Sequence, residues 1–148
     1  MREFKFRGKD AKTGEWVHGD LHVLCDRPHI HTEHTHYPYA GRRSFVVPET
    51  VGQYTGIKDK NGTEVYEGDI VKWPSYSPVC RYGVVRWGER IGNDDDYPNE
   101  DWQTPRYNVG WYLEVVTIED TVYEILPSVI PLGEVVGNEF DNPELLKQ

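Results

Sequence analysis

Gln53-Tyr54-Thr55-Gly56-Ile57 and Thr63-Glu64-Val65-Tyr66 flank the pair Asn61-Gly62. Asn-Gly tolerates the positive φ of a tight hairpin turn, and the aromatic and β-branched residues on either side suit pleated, half-buried strands. The segment predicts a hairpin. Glu67-Gly68-Asp69 then makes a second turn into Ile70-Val71-Lys72-Trp73, and after a Pro/Ser loop the run Tyr82-Gly83-Val84-Val85-Arg86-Trp87 is its natural partner. Strands meeting this way predict the elements of a small SH3-like barrel.

Working outward, Phe4-x-Phe6 alternates ahead of the turn-rich Gly8 to Gly14, and Trp16 to Leu24 resumes an extended pattern, which predicts an opening hairpin. Phe45-Val46-Val47 is a short strand stopped by Pro48, whose fixed φ suits a turn or short helix at Glu49-Thr50-Val51. Arg106 to Val116 and Thr121 to Leu126 supply two more strands, and Val135 to Asn138 a last extended stretch. Asn142-Pro143-Glu144 carries the chemistry of an N-cap and first turn, which predicts a short C-terminal helix over Asn142 to Leu146. The fold class is therefore mainly β. With 148 residues the chain forms one domain, either a single barrel or two lobes over about 1–66 and 67–148. Residues 92–104, crowded with Asp and Glu, cannot be a core strand and are expected to form a mobile acidic loop that tolerates deletion.

The balance of 25 acidic against 16 basic side chains, a net charge of −9, opposes the phosphate-tracking surface that nucleic-acid binding requires. No apolar run reaches membrane-spanning length, the N-terminus lacks the central apolar block of a secretion signal, and Cys25 and Cys80 follow no secreted framework. A cytoplasmic protein is expected.

Phe4-Lys5-Phe6-Arg7, the segment Val47 to Gly56, Asp59-Lys60-Asn61-Gly62 continuing to Tyr66-Glu67-Gly68-Asp69-Ile70-Val71, and Val136-Gly137-Asn138 with Asn142-Pro143-Glu144-Leu145-Leu146 together resemble the YopX family. The motifs run in order from end to end at matching separations. The resemblance implies a β-rich protein with SH3-barrel-like character, encoded mostly in phages and prophages of bacteria, and it brings no catalytic residues. The histidine-rich stretch and the acidic insertion fall where the family varies.

No serine stands in a nucleophile elbow, and there is no Gly-rich phosphate loop or His-Glu-x-x-His helix. The expectation is a non-catalytic protein without a cofactor. Its function is expected to be that of a phage accessory module binding a host or phage protein, with homo-oligomerisation compatible with the same surface. The interaction candidates are Glu49, Gln53, Tyr54, Trp73, Trp87 and Trp111. Two alternatives run through the same residues and the acidic loop. One is a small nucleic-acid-associated barrel that stacks bases on Trp73, Trp87 and Trp111. The other is an acidic mimic of DNA built on Asp94, Asp95, Asp96, Glu100 and Asp101.

His29, His31, His34 and His36 are the metal candidates. A hairpin turning at Thr32-Glu33 would set His31 opposite His34 and His29 opposite His36, crowding four imidazoles on one face. Thr-Glu is poor at positive φ, however, and no cysteine or carboxylate stands at a structural-zinc spacing. The protein is expected to fold without metal, with any zinc or nickel at His31 and His34 removable by chelator.

Overall fold

The computed structural model of the chain describes residues 3–32, 42–73, 82–92, 106–116, 122–125 and 127–147. Within them the alternating runs become strands, and the Gly, Pro and Asx clusters become turns. β1 (Phe6–Lys9) and β2 (Trp16–Leu24) form the opening hairpin, Phe6 facing Gly19 and Lys9 facing Trp16. Cys25 and Asp26, at φ 49° and 59°, return the chain as β3 (Arg27–His31). Positive φ at both central residues is the mark of a type I′ turn, made here without Asn or Gly. β4 (Arg43–Phe45) pairs with β3, a 3-10 turn covers Pro48–Thr50, and β5 (Gly52–Lys58) and β6 (Glu64–Tyr66) follow. The order across this six-stranded sheet is β4-β3-β2-β1-β5-β6. The hairpin forms at Asn61-Gly62, but through the loop 59–63 rather than a tight two-residue turn: Lys58 faces Glu64, and Gly62 takes positive φ, 83°, while Asn61 does not. Asp59 braces it by accepting the N–H groups of Asn61 and Thr63, both at 2.8 Å.

After Glu67-Gly68 the chain starts a second sheet: β7 (Asp69–Lys72), β8 (Tyr82–Gly92), β9 (Arg106–Val116), β10 (Val122–Ile125) and β11 (Glu134–Asn138), in the order β10-β9-β8-β7-β11. Among the described residues neither sheet closes on itself, so the expected SH3-like barrel is not seen. Barrel closure requires one sheet to bend until its edges pair. Here β6 ends one sheet and β7 begins the other, so the two strands around Glu67-Gly68 never become neighbours. The acidic segment expected to be a mobile loop lies, but for Gly92, outside the described residues, as does Cys80.

The two sheets share a core. Val65 of β6 packs with Val71, Trp73, Val85, Leu113, Val115 and Ile130, and Ile57 of β5 covers it. Polar clamps fix the sheets together: Asp59 accepts the Val135 N–H at 2.9 Å, Lys60 N–H donates to the Gly133 carbonyl at 2.9 Å, and Arg7 of β1 meets Asp69 of β7 at 2.6 Å. Burial would raise the Asp59 carboxyl, but the N–H groups of Val135, Thr63 and Asn61 outweigh it and hold the group below the usual aspartate value.

The expected C-terminal helix is only a 3-10 turn over Pro143–Lys147. Five residues cannot repay the cost of nucleating an α-helix. Asn142 also does not cap with its side chain, which instead accepts the Asn138 N–H at 3.3 Å. Nearby, Asp141 pairs with Lys9 and accepts from Trp16 Nε1 at 2.7 Å and Asn138 Nδ2 at 3.0 Å, tying the end of the chain to β1 and β2. These donors, Lys9 foremost, pull its carboxyl down to about 2. Because the folded value lies below the unfolded one, the stabilisation is present at neutral pH and is lost as pH falls from about 4 to about 2. The side chain is 37% exposed, so Asp141→Asn is predicted to lower stability at pH 7 by at most about 1 kcal/mol. Urea melts should show that difference shrinking to nothing near pH 2; a difference independent of pH would mean the carboxylate charge is not what holds the turn.

Candidate functional site

Two surfaces gather the side chains with chemistry to offer. The first is a face of the β2–β3–β4 ladder. Because β2 and β3 pair through the Cys25-Asp26 turn, His22 stands directly opposite His29, and Asp20 opposite His31. On the other side of β3, Phe45 faces His29 and Arg43 faces His31. Residues two apart on a strand share a face, so His22, His29 and His31 come together. Their ring centroids lie 5.6 Å (His22 to His29), 4.4 Å (His22 to His31) and 5.1 Å (His29 to His31) apart, and the Phe45 ring lies 5.5 Å from His29. His29 is buried, His31 half-buried and His22 exposed. Burial first, then His22, His29 and Arg43, push the His31 imidazole below its usual value, against a smaller opposite pull from Asp20.

β3 does not pair as a hairpin turning at Thr32-Glu33 would have it. Thr32 N–H donates to the Arg42 carbonyl at 3.2 Å and His31 pairs with Arg43, so the partner of His31 on that side comes nine residues later than the His34 a tight turn would place there. Thr-Glu lacks the positive-φ preference a two-residue turn needs. His34 and His36 lie outside the described residues. The histidine that sequence reasoning missed is His22. Its signal was the two-residue spacing between Leu24 and Arg27, masked because Cys-Asp does not advertise a hairpin turn.

The second surface is on β8 and β9. β7 pairs with β8 only over Tyr82–Val84, and β10 with β9 only over Leu113–Val116. Beyond them β8 and β9 continue as a two-stranded arm, from Arg86 facing Tyr112 to Gly92 facing Arg106, with no third strand among the described residues. At about 3.4 Å per residue the arm is about 20 Å long. One of its faces starts in the core at Val85 and Leu113, passes through Trp87 and Trp111, and ends at Glu89 and Val109. Trp87 is 48% exposed and Val109 64% exposed, and the Trp87 and Trp111 rings meet edge-on at 4.9 Å. On the opposite face Arg86 is held by Glu114 at 2.8 Å and by both oxygens of Glu139, anchoring the base of the arm.

The other interaction candidates separate by burial. Tyr54 is buried against Tyr66, centroids 5.5 Å apart, and Trp73 belongs to the shared core, so neither presents a surface for a partner or a base. Glu49 is exposed in the 3-10 turn, and Gln53 is half-buried on β5, where its carbonyl accepts the Glu67 N–H at 3.0 Å. The residues proposed for DNA mimicry lie outside the described residues.

A family sequence model described as YopX protein matches residues 5–147, nearly the whole chain. No curated protein matches it.

Proposed function

We propose that this chain, which belongs to the YopX family, is a non-catalytic phage or prophage accessory protein that acts in the bacterial cytoplasm by binding a host or phage protein through the β8–β9 arm. The observation that carries the proposal is the continuation of the core's apolar face onto a ribbon without a third strand among the described residues. An isolated two-stranded ribbon is marginal in water, and one carrying an exposed Trp and Val gains stability when a partner covers it. Aromatic anchors at the centre of a patch with a polar neighbour, here Glu89, are also the usual make-up of binding hot spots. Self-association through the same face is the form this binding takes if the partner is a second copy.

Affinity purification from infected cells tests this, comparing the native chain with Trp87→Ser and Val109→Ser. Both positions are exposed, so melting temperatures should stay within about 2 °C, while a partner retained by the native chain is lost from both variants. Recovery of the same proteins with all three chains would overturn the assignment of binding to the arm. Light scattering on the same samples separates self-association from a foreign partner.

Base stacking is less well supported than protein binding, because Trp73 is buried and the chain carries a net charge of −9. Duplex and single-stranded DNA are predicted not to be retained at physiological salt in filter-binding assays. Salt-sensitive retention at micromolar protein would favour the nucleic-acid reading instead.

A further inference from the structure

His22, His29 and His31 are brought together by strand register rather than by sequence spacing, and their geometry is close to that of a three-imidazole ligand set. A zinc–nitrogen bond of about 2.1 Å places each ring centroid about 3.2 Å from the metal, so tetrahedral ligation sets neighbouring centroids about 5 Å apart. The three observed separations run from 4.4 to 5.6 Å. A second, independent observation comes from hydrogen bonding. Nδ1 of His29, a residue only 5% exposed, and Nε2 of His31 are both buried without a hydrogen-bond partner among the described residues. Buried polar atoms are nearly always satisfied, and an unmade bond is costly. Two such nitrogens within one ring cluster point to a missing ligand.

As the rings stand, no group of three or more His, Cys, Asp or Glu among the described residues is arranged to hold a metal ion. The backbone places the three rings together, while the direction of each nitrogen depends on χ2, a broad, roughly two-fold torsion for histidine. Uptake therefore goes with ring rotation on a fixed hairpin.

We propose that His22, His29 and His31 bind one transition-metal cation of the zinc, nickel and copper group, with a fourth position left to water or a further ligand. Imidazole suits these ions, and three neutral rings leave the metal's charge only partly screened. Asp20, opposite His31, supplies negative charge at one side of the site, and Arg43 supplies positive charge at the other. The rings stand on the ladder of β2 with β3 and β4, whose register is set by strand pairing. The inference is independent of the arm's role.

The test is calorimetric titration of the chelator-stripped full-length chain with zinc and with nickel, run on the native protein, on His22→Ala and on the double variant His34→Ala, His36→Ala. The expected result is one equivalent bound at micromolar affinity or tighter, weakened at least tenfold in His22→Ala and unchanged in the double variant. His22 is exposed, so its variant should fold, and an unchanged metal-free melting temperature verifies this. Metal at a hundredfold excess over Kd should raise the melting temperature of the native protein by about 5 °C or more but not that of His22→Ala. Binding abolished in the double variant and kept in His22→Ala would overturn the proposal by moving the ligands to the downstream histidines. Absence of binding at 1 mM metal would overturn it as well.

Discussion

Gly19→Ala is expected to unfold the protein at temperatures where the native chain is stable. Gly19 sits where β2 changes partners: residues up to it pair with β1, and Asp20 onward pairs with β3. Its φ is +155°, and a Cβ built there would lie 1.9 Å from the His31 carbonyl oxygen and 2.8 Å from its carbon. Both are backbone atoms, so no rotamer change relieves the clash. Either β3 moves away, pulling the fully buried Ile30 and its contacts out of register, or β2 loses its stagger. Backbone strain combined with disrupted core packing places the cost at about 4 kcal/mol or more, a fall of about 8–16 °C in melting temperature for a chain of this length. Gly110→Ala is the control, because a Cβ there meets nothing within 4 Å. Thermal melts should leave that variant within about 2 °C of the native chain. A mild effect of Gly19→Ala would mean that the β2–β3 junction is softer than its geometry implies. The same variant would also dissolve the histidine face, since that face is built on β3.

What was legible in the sequence is what short-range chemistry decides. Asn61-Gly62 announced its hairpin because glycine accepts the positive φ that Gly62 takes, and Gly68 marked the step into β7 for the same reason. Period-two alternation located the strands. It did not say which face of a strand would be buried, and so Tyr54 and Trp73 read as interaction candidates while the structure places them inside. Trp87 and Trp111, opposite each other on β8 and β9, remain at the surface in part because no further strand among the described residues flanks them, which no local pattern records. The histidine face illustrates the same limit. His29 and His31 were visible as a pair two residues apart, whereas His22 enters only through a hairpin turn built from Cys25 and Asp26, residues that do not signal one. Barrel closure is beyond local reading for a related reason, since it depends on which strands pair across the two sheets rather than on any strand's own sequence.

Several residues of the family-like motifs acquire structural explanations. Asp59 braces the Asn61-Gly62 turn and reaches β11, Asp69 meets Arg7, and Asn138 accepts the N–H groups of Phe140 and Asp141 at 3.0 and 2.9 Å. Asp59 and Asp69 satisfy backbone or charge at the joint between the sheets, and Asn138 holds the exposed turn that follows β11. Much of the likeness along the chain therefore describes how the sheets are joined. The surfaces proposed for function, the β8–β9 arm and the β2–β3 face, lie outside the motifs that carry the resemblance in the sequence.

Asp69→Ala is the second substitution expected to have a large effect. The carboxylate is 2% exposed, lies 2.6 Å from Arg7 and accepts the Tyr66 N–H at 2.7 Å. Arg7, itself buried, stacks its guanidinium over Trp16 at 4.6 Å and Tyr66 at 5.1 Å and donates to the Glu67 carbonyl at 3.1 Å. Deleting the carboxylate leaves a buried cation without its counter-ion and an orphaned N–H at the step between the sheets, a loss of about 3–5 kcal/mol. The pair as a whole is worth far less, because burial penalises both charges: desolvation raises the Asp69 carboxyl despite the attraction of Arg7. A raised folded value means that acidification relieves a cost at this residue, opposite in sign to Asp59 and Asp141, so Asp69 is not what makes the fold acid-sensitive. The double variant Arg7→Met, Asp69→Leu should accordingly recover at least half of the stability lost in Asp69→Ala, because it removes both buried charges and keeps apolar volume between Trp16 and Tyr66. Chemical denaturation of the two single variants and the double at pH 7 measures the coupling. Additive losses would show that Arg7 and Asp69 act separately rather than as a pair.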